Sequence, residues 1–473
     1  MKIQFLGAAG EVTGSKYLLE MDLAQRSRRV IVDYGMFQGG REALEKNQGA
    51  LPILASEVDC VILTHAHIDH SGLLPRLCAS GFKGPIYCTG ATFELLKIML
   101  PDSAHLQLAD SERAAKKIKQ GKWRGTVPEP LYSAKEVEIA LSQIRVVEYH
   151  QTIELFSGLR LSFYNAGHIL GSAIAVLDIQ ETGAKSKRCV FSGDLGMQRR
   201  PLMPDPELIE SADIVVVEST YGDRLHRSMA DTEDELVGVI CKVMAEHGNI
   251  VMPAFAVGRT QEVLFVLIDL VRRGRLPNLH VWVDSPMATA ATRLTEHFFA
   301  QLDPESQSTF AWLKENPAAL HLRFIADVEE SKALNRVKGG AIIISASGMC
   351  DAGRVLHHLL WNLPRAQNAV VITGFQAQGS LGRRLVDGAA SIRVMHQEVS
   401  VRASIHTIGG LSAHADQSGL LKWLKGFKKA PQKVFVTHGE EKSSHALAAA
   451  IQRELHWAHV TVPVRNQIED CSL

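Results

Sequence analysis

Over residues 1 to about 100 the apolar positions fall in short runs: Lys2–Leu6, Lys16–Met21, Arg29–Asp33, Cys60–Thr64 and Pro85–Thr89. Gly7, Gly10, Gly14, Gly35, Gly39 and Gly40 punctuate them, which predicts strands joined by turns. A helix is predicted near 92–99. The stretch 101–145 is charged and helix-prone, most clearly in DSAHLQLADSERAAKKIKQ. Strands resume at 145–149, 159–164, 173–179 and 188–192.

The rhythm changes after 213. Asp213–Val217 is an apolar run ending at Glu218, and 232–247 carries Leu236, Ile240, Val243 and Met244 on one helical face. Strand then alternates with helix: 249–253 with 260–273, 280–283 with 287–300, 341–345 with 353–360, and 369–373 with 379–386. Repeated units of this kind predict a parallel sheet covered on both faces, so the fold class is α/β. The chain closes on a strand (434–437), a helix (about 443–455) and a strand (460–464), with no internal repeat. At 473 residues, two domains are the natural expectation.

Composition narrows the class without naming the chemistry. Hydrophobic residues make up 46% and charged residues 22%, which excludes disordered and fibrous chains. Lys plus Arg and Asp plus Glu each number 51, so attraction for a phosphate must come from local patches or a bound cation. Seven scattered cysteines without a C-x-x-C pair fit reduced, mostly buried thiols. The opening MKIQFLGAAGEVTGS reads as strand and turn, and no run reaches the ~18–20 apolar residues of a membrane span. A cytoplasmic protein without membrane contact is expected.

The chemistry enters at Thr64-His65-Ala66-His67-Ile68-Asp69-His70, directly after an apolar strand. Three histidines and an aspartate so close together exceed what packing asks for, and imidazole and carboxylate are ligands for zinc. A second ion needs more ligands. His168 after Leu161–Tyr164, Asp194 after Arg188–Val190, and His438 after the strand at 434–437 each stand where strand gives way to loop.

These residues carry a resemblance. Asp33 (VDYG), HAHIDH at 65–70, His168 and Asp194 resemble the successive motifs of the metallo-β-lactamase superfamily. Glu218 (ESTYG), His414 (LSAHAD) and His438 (THGE) resemble the further motifs of its β-CASP nuclease branch. That branch includes the endonuclease subunit of the cleavage and polyadenylation specificity factor and its prokaryotic relatives. The motifs run in family order from about residue 6 to 440. The resemblance implies a metallo-β-lactamase αββα sandwich over 1–218 and 405–473, with a β-CASP domain on a parallel α/β sheet inserted at 219–404.

It also implies roles. His65, His67 and His168 would hold one zinc, and Asp69, His70 and His438 a second. Asp194 would bridge the two, with a hydroxide as the other bridge, and manganese is an alternative to zinc. Asp33 would orient ligands through hydrogen bonds. His414 would act as general acid, with Glu218 keeping it protonated and aimed, and Asp69 is counted with them in catalysis. The histidine at 438 favours RNA over DNA. The insertion would close over the metal face and admit a single strand only. The expected activity is therefore hydrolysis of single-stranded RNA, endonucleolytic, from the 5′ end, or both.

Phosphate contacts are expected where helices begin after strands: Phe255–Gln261, Ser345–Met349 with Gly353-Arg354, and Gly374–Gln376 through Gly382-Arg383-Arg384. Arg259 and Ser347 are the leading candidates. A DNA nuclease, a non-catalytic scaffold of an RNA-processing assembly, and a small-molecule metallo-hydrolase are the rival readings. A homodimer fits any of them.

Overall fold

The computed structural model describes residues 1–39, 41–121, 125–374, 376 and 378–472. The chain divides into two compact units. The first holds Met1–Gln198, Asp205–Leu225 and the chain from His414 onward; the second holds Arg199–Pro204 and His226–Ala413.

Two seven-stranded sheets build the first unit. Alternation sets which side chains meet between them: Tyr17, Leu19, Val30, Val32 and Ile62 from one sheet pack with Leu161, Phe163, Leu177, Phe191, Val216 and Phe435 from the other in one apolar core. The intervening Leu18, Ile31 and Val61 are buried too, so the first sheet is covered on both faces. The second sheet's outer face packs under the helices Gln417–Leu424 and Glu441–Leu455, through Leu420, Trp423, Leu447 and Ile451. Each large side chain buried this way contributes roughly 1.5–3 kcal/mol.

The helices predicted near 92–99 and beyond 101 are one, Gly90–Lys119, running through Pro101. Proline withdraws an N–H and crowds the preceding turn, a cost of ~3 kcal/mol in an isolated helix. Burial of Leu95, Leu96, Met99, Leu100 and Ala104 on either side offsets it.

The second unit is built on a six-stranded parallel sheet. Its order is His321–Phe324, His280–Val283, Ala341–Ser345, Ile250–Pro253, Ala369–Ile372, Ser404–Thr407. Met229–Ala245 and Arg259–Arg272 cover one face, and Val355–Asn362 and Leu381–Val386 the other. All seven cysteines are free and six are buried. Among the described residues no helix is long and apolar enough to cross a membrane.

Candidate metal centre

The strand Cys60–Ile62 is fully buried and pairs in parallel with Arg26–Tyr34, so the polar residues after it emerge at the edge of the first sheet. Thr64 is pinned there. Its backbone N–H donates to Asp33 Oδ1 at 2.8 Å and its hydroxyl donates to Asp33 Oδ2 at 2.9 Å. A single helical turn, Ile68–Ser71, then brings Asp69 and His70 round. This turn lies so close that a Cβ on Gly35 would sit 1.6 Å from the Asp69 carbonyl oxygen, an approach only glycine permits.

The remaining side chains come from the second sheet. His168 follows Leu159–Asn165, Asp194 follows Lys187–Phe191, Glu218 ends Ile214–Glu218, and His438 follows Lys433–Thr437. The last three strands are mutually parallel. The first is related to them through two antiparallel pairings, so all four end at the same edge. His414 joins them by a bridge to Gly196, with the Ala415 N–H donating to the Leu195 carbonyl at 2.7 Å.

The structure gathers these groups into sets that could hold metal. In the first, His67 Nδ1 lies 3.2 Å from both His65 Nε2 and His168 Nε2. Asp194 Oδ2 lies 3.4 Å from the former and 3.5 Å from the latter. In the second, His70 Nε2 is 3.0 Å from His438 Nε2 and 3.3 Å from Asp194 Oδ1, and His438 Nε2 is 3.6 Å from Asp69 Oδ2. A tetrahedron with arms of ~2.0–2.2 Å has edges of about 3.3–3.6 Å, so the donor spacing fits zinc-sized cations. Among the described residues neither oxygen of Asp194 has a hydrogen-bond partner, although both are buried. A carboxylate so placed calls for cations.

Protonation follows the same logic. Burial pushes His65 down to about 3 and lowers His67 and His168, which keeps these imidazoles neutral. Burial opposes charge on Asp69 and Asp194, but the surrounding histidines outweigh it and hold both carboxyls well below their ordinary range. Neutral imidazole and ionised carboxylate are the ligand forms. His70 departs from the pattern: Asp194 and Asp33 raise it against burial, and those carboxylates equally favour a cation at Nε2.

Two residues steer the histidines from behind. Asp33 Oδ2 lies 2.7 Å from His70 Nδ1, which leaves Nε2 facing inward. Because Thr64 spends its hydroxyl hydrogen on Asp33, it can only accept from His65 Nδ1 at 3.1 Å, which also turns a lone pair on Nε2 inward. Thr64 and Thr220 are not among the predicted site residues; their signal is a hydroxyl in each motif, directly before the candidate ligand His65 in one and two places after Glu218 in the other.

His414 Nδ1 sits 3.2 Å from each oxygen of Glu218, whose Oε1 also accepts the Leu195 N–H at 2.6 Å. Burial works against charge on His414, but Glu218 and Asp194 raise it to about 9. The seven expected ligands, Asp33, Glu218 and His414 thus share one locality. Arg259 and Ser347 lie in the second unit. Arg259 is 7% exposed and paired with Glu262 at 2.5 Å; the Ser347 hydroxyl accepts from the N–H groups of Asp351 and Ala352. Phe375, within the third predicted phosphate stretch, lies outside the described residues.

Comparison with known proteins agrees with this geometry. Residues 18–185 match the metallo-β-lactamase superfamily domain, 260–385 the Beta-Casp domain, and 398–463 the Zn-dependent metallo-hydrolase RNA specificity domain. Ribonuclease TTHA0252 of Thermus thermophilus is 39% identical, over 94% of this chain and 95% of its own. An RNase J-like protein of Methanocaldococcus jannaschii is 30% identical, over 95% of each. The transcription termination factor FttA of Methanothermobacter thermautotrophicus is 32% identical over 90% of this chain, which spans 65% of that longer protein. A metal-binding cluster of this composition, on this fold and with these relatives, makes the chain a hydrolytic enzyme of the metallo-β-lactamase superfamily, belonging to its β-CASP nuclease family.

Proposed function

We propose that the protein is a dinuclear zinc ribonuclease that hydrolyses phosphodiester bonds of single-stranded RNA. The observation that carries this reading is Asp194, whose two orphaned oxygens face two separate histidine sets. His65, His67 and His168 would hold one ion, Asp69, His70 and His438 the other, and Asp194 both. When bound, the pair supplies a water activated at neutral pH and positive charge beside the phosphate oxygens.

The chain's own residues supply the rest. Hydrolysis forms a bond from water oxygen to phosphorus and breaks the bond to the 3′ oxygen, which departs with a proton. His414 would donate that proton from Nε2, because Glu218 occupies its Nδ1 side. Glu218 is itself steadied by the N–H groups of Leu195 and Thr220. The names of the relatives, two of them ribonucleases or RNase-like, favour RNA as the substrate. Attack within the chain and from the 5′ end both suit this site.

The test is incubation of zinc-loaded protein with 5′-labelled single-stranded RNA and the matching DNA, alongside metal analysis. RNA cleavage with two zinc ions per chain is expected, and mononucleotides or internal fragments will report the mode of cutting. Cleavage of DNA alone, or of neither, overturns the reading.

A further inference from the structure

Where a histidine ligand's far nitrogen has a hydrogen-bond partner, that partner decides whether the near one can bind a cation. Asp33 serves His70 and Thr64 serves His65. For His438 that position belongs to Thr220, which lies after the strand Ile214–Glu218 and is 8% exposed. Its Oγ1 is 3.2 Å from His438 Nδ1 and 3.2 Å from the carbonyl oxygen of the same residue.

A hydroxyl has one hydrogen to give. A carbonyl oxygen can only accept, so donation there leaves the hydroxyl oxygen to accept from Nδ1–H. The lone pair then stands on Nε2, which faces His70 Nε2 at 3.0 Å and Asp69 Oδ2 at 3.6 Å. The reverse arrangement, with hydroxyl donating to Nδ1, puts a hydrogen on Nε2 and removes it as a ligand. The same hydroxyl fastens the backbone of His438, which is held at φ 50° with its N–H donated to the Ala8 carbonyl at 2.7 Å.

We infer that Thr220 is a positioning residue for the Asp69–His70–His438 set: its hydroxyl fixes the tautomer and orientation in which His438 binds a divalent cation. Its backbone N–H also donates to Glu218 Oε2 at 3.3 Å, so one residue holds both a ligand and the partner of the acid. The inference rests on the two-ion reading above.

The test is chelator competition on the full-length, zinc-loaded protein, with zinc per chain measured directly and the cobalt-substituted form followed by its d–d bands. In Thr220→Val, shape is kept and the hydroxyl lost. One of the two ions should weaken by about 10- to 100-fold, as loss of such an outer partner does elsewhere, while the other holds. Thr220→Ser should retain both ions at the wild-type affinity. If Thr220→Val does not fold, judged by circular dichroism, Thr220→Ala carries the same expectation. Unchanged affinity in the hydroxyl-free variant, or equal weakening in Thr220→Ser, overturns the inference. A wild-type protein holding fewer than two ions overturns the two-ion reading instead.

Discussion

Asp194 in the first unit and Asp284 in the second are buried carboxylates, 1% and 0% exposed, each beside histidine. They differ in who supplies the hydrogens. Asp284 Oδ1 accepts from Arg354 at 2.6 Å, and Oδ2 accepts from Ser331 at 2.6 Å and pairs with His358 Nε2 at 2.7 Å. Burial opposes its charge, but those donors outweigh it and lower its pKa. Asp194 has five imidazoles around it, those of His65, His70, His168, His414 and His438, and among the described residues neither oxygen accepts a well-formed hydrogen bond. A buried aspartate among histidines is therefore not by itself a metal site. What separates the two is whether the lone pairs are already claimed.

That contrast can be broken experimentally. The largest effect is expected for Asp194→Ala: RNA cleavage should fall to background and bound zinc should drop, and cleavage that survives would remove Asp194 from the centre. His414→Ala should slow cleavage by roughly 10²–10⁴-fold, the usual worth of a general acid, with zinc content intact. A halved zinc content would mean His414 is a ligand. Asp284→Ala should do the reverse, leaving zinc bound but costing roughly 3–5 kcal/mol in urea unfolding, because Arg354 and His358 lose their shared partner. If zinc is lost instead, the two carboxylates have been assigned the wrong way round.

The finest test concerns a buried charge of the opposite sign. Lys16 is held down to about 7 by burial and by Arg465 and Arg76, and its ammonium lies 4.4 Å from the Phe37 ring centre. Between about pH 7 and 10.5 the unfolded chain carries a proton here that the folded chain lacks. Relative to Lys16→Met, wild-type stability should therefore rise with pH across that window, by up to ~1.4 kcal/mol per unit, and be lost again as pH falls toward 7. Urea unfolding at pH 7.5 and 9 measures it. A flat difference would place Lys16 at an ordinary lysine pKa.

Much of this was legible in the order of residues. The first cluster of candidate ligands stood out because His65, His67, Asp69 and His70 share one short loop, and the later candidates because each follows an apolar strand. The alternating strands and helices of the second unit were legible because buried parallel strands are apolar throughout. The strand Ser404–Thr407 and the hairpin Ser391–Val394 with Gln397–Ser400 were not, being short, mixed in polarity and partly exposed. Nor was the place of Arg199–Pro204, which reads as a basic loop. Leu202 is buried and its N–H donates to Ser306 at 2.8 Å, which ties the segment to the second unit. Arg259 was legible as the start of a helix, but not its commitment to Glu262 one turn on.

His438 and His414 stand after the second unit in the chain, although both belong to the first. A ribosome that has finished Asp194 has made every member of one candidate ligand set, yet it must still build the whole intervening unit before the other set and the proposed acid exist. At ~5–20 residues per second that interval is roughly 10 to 50 s. On the two-ion reading, the growing polypeptide would complete its second ligand set and its proton donor only after the whole intervening unit has been made.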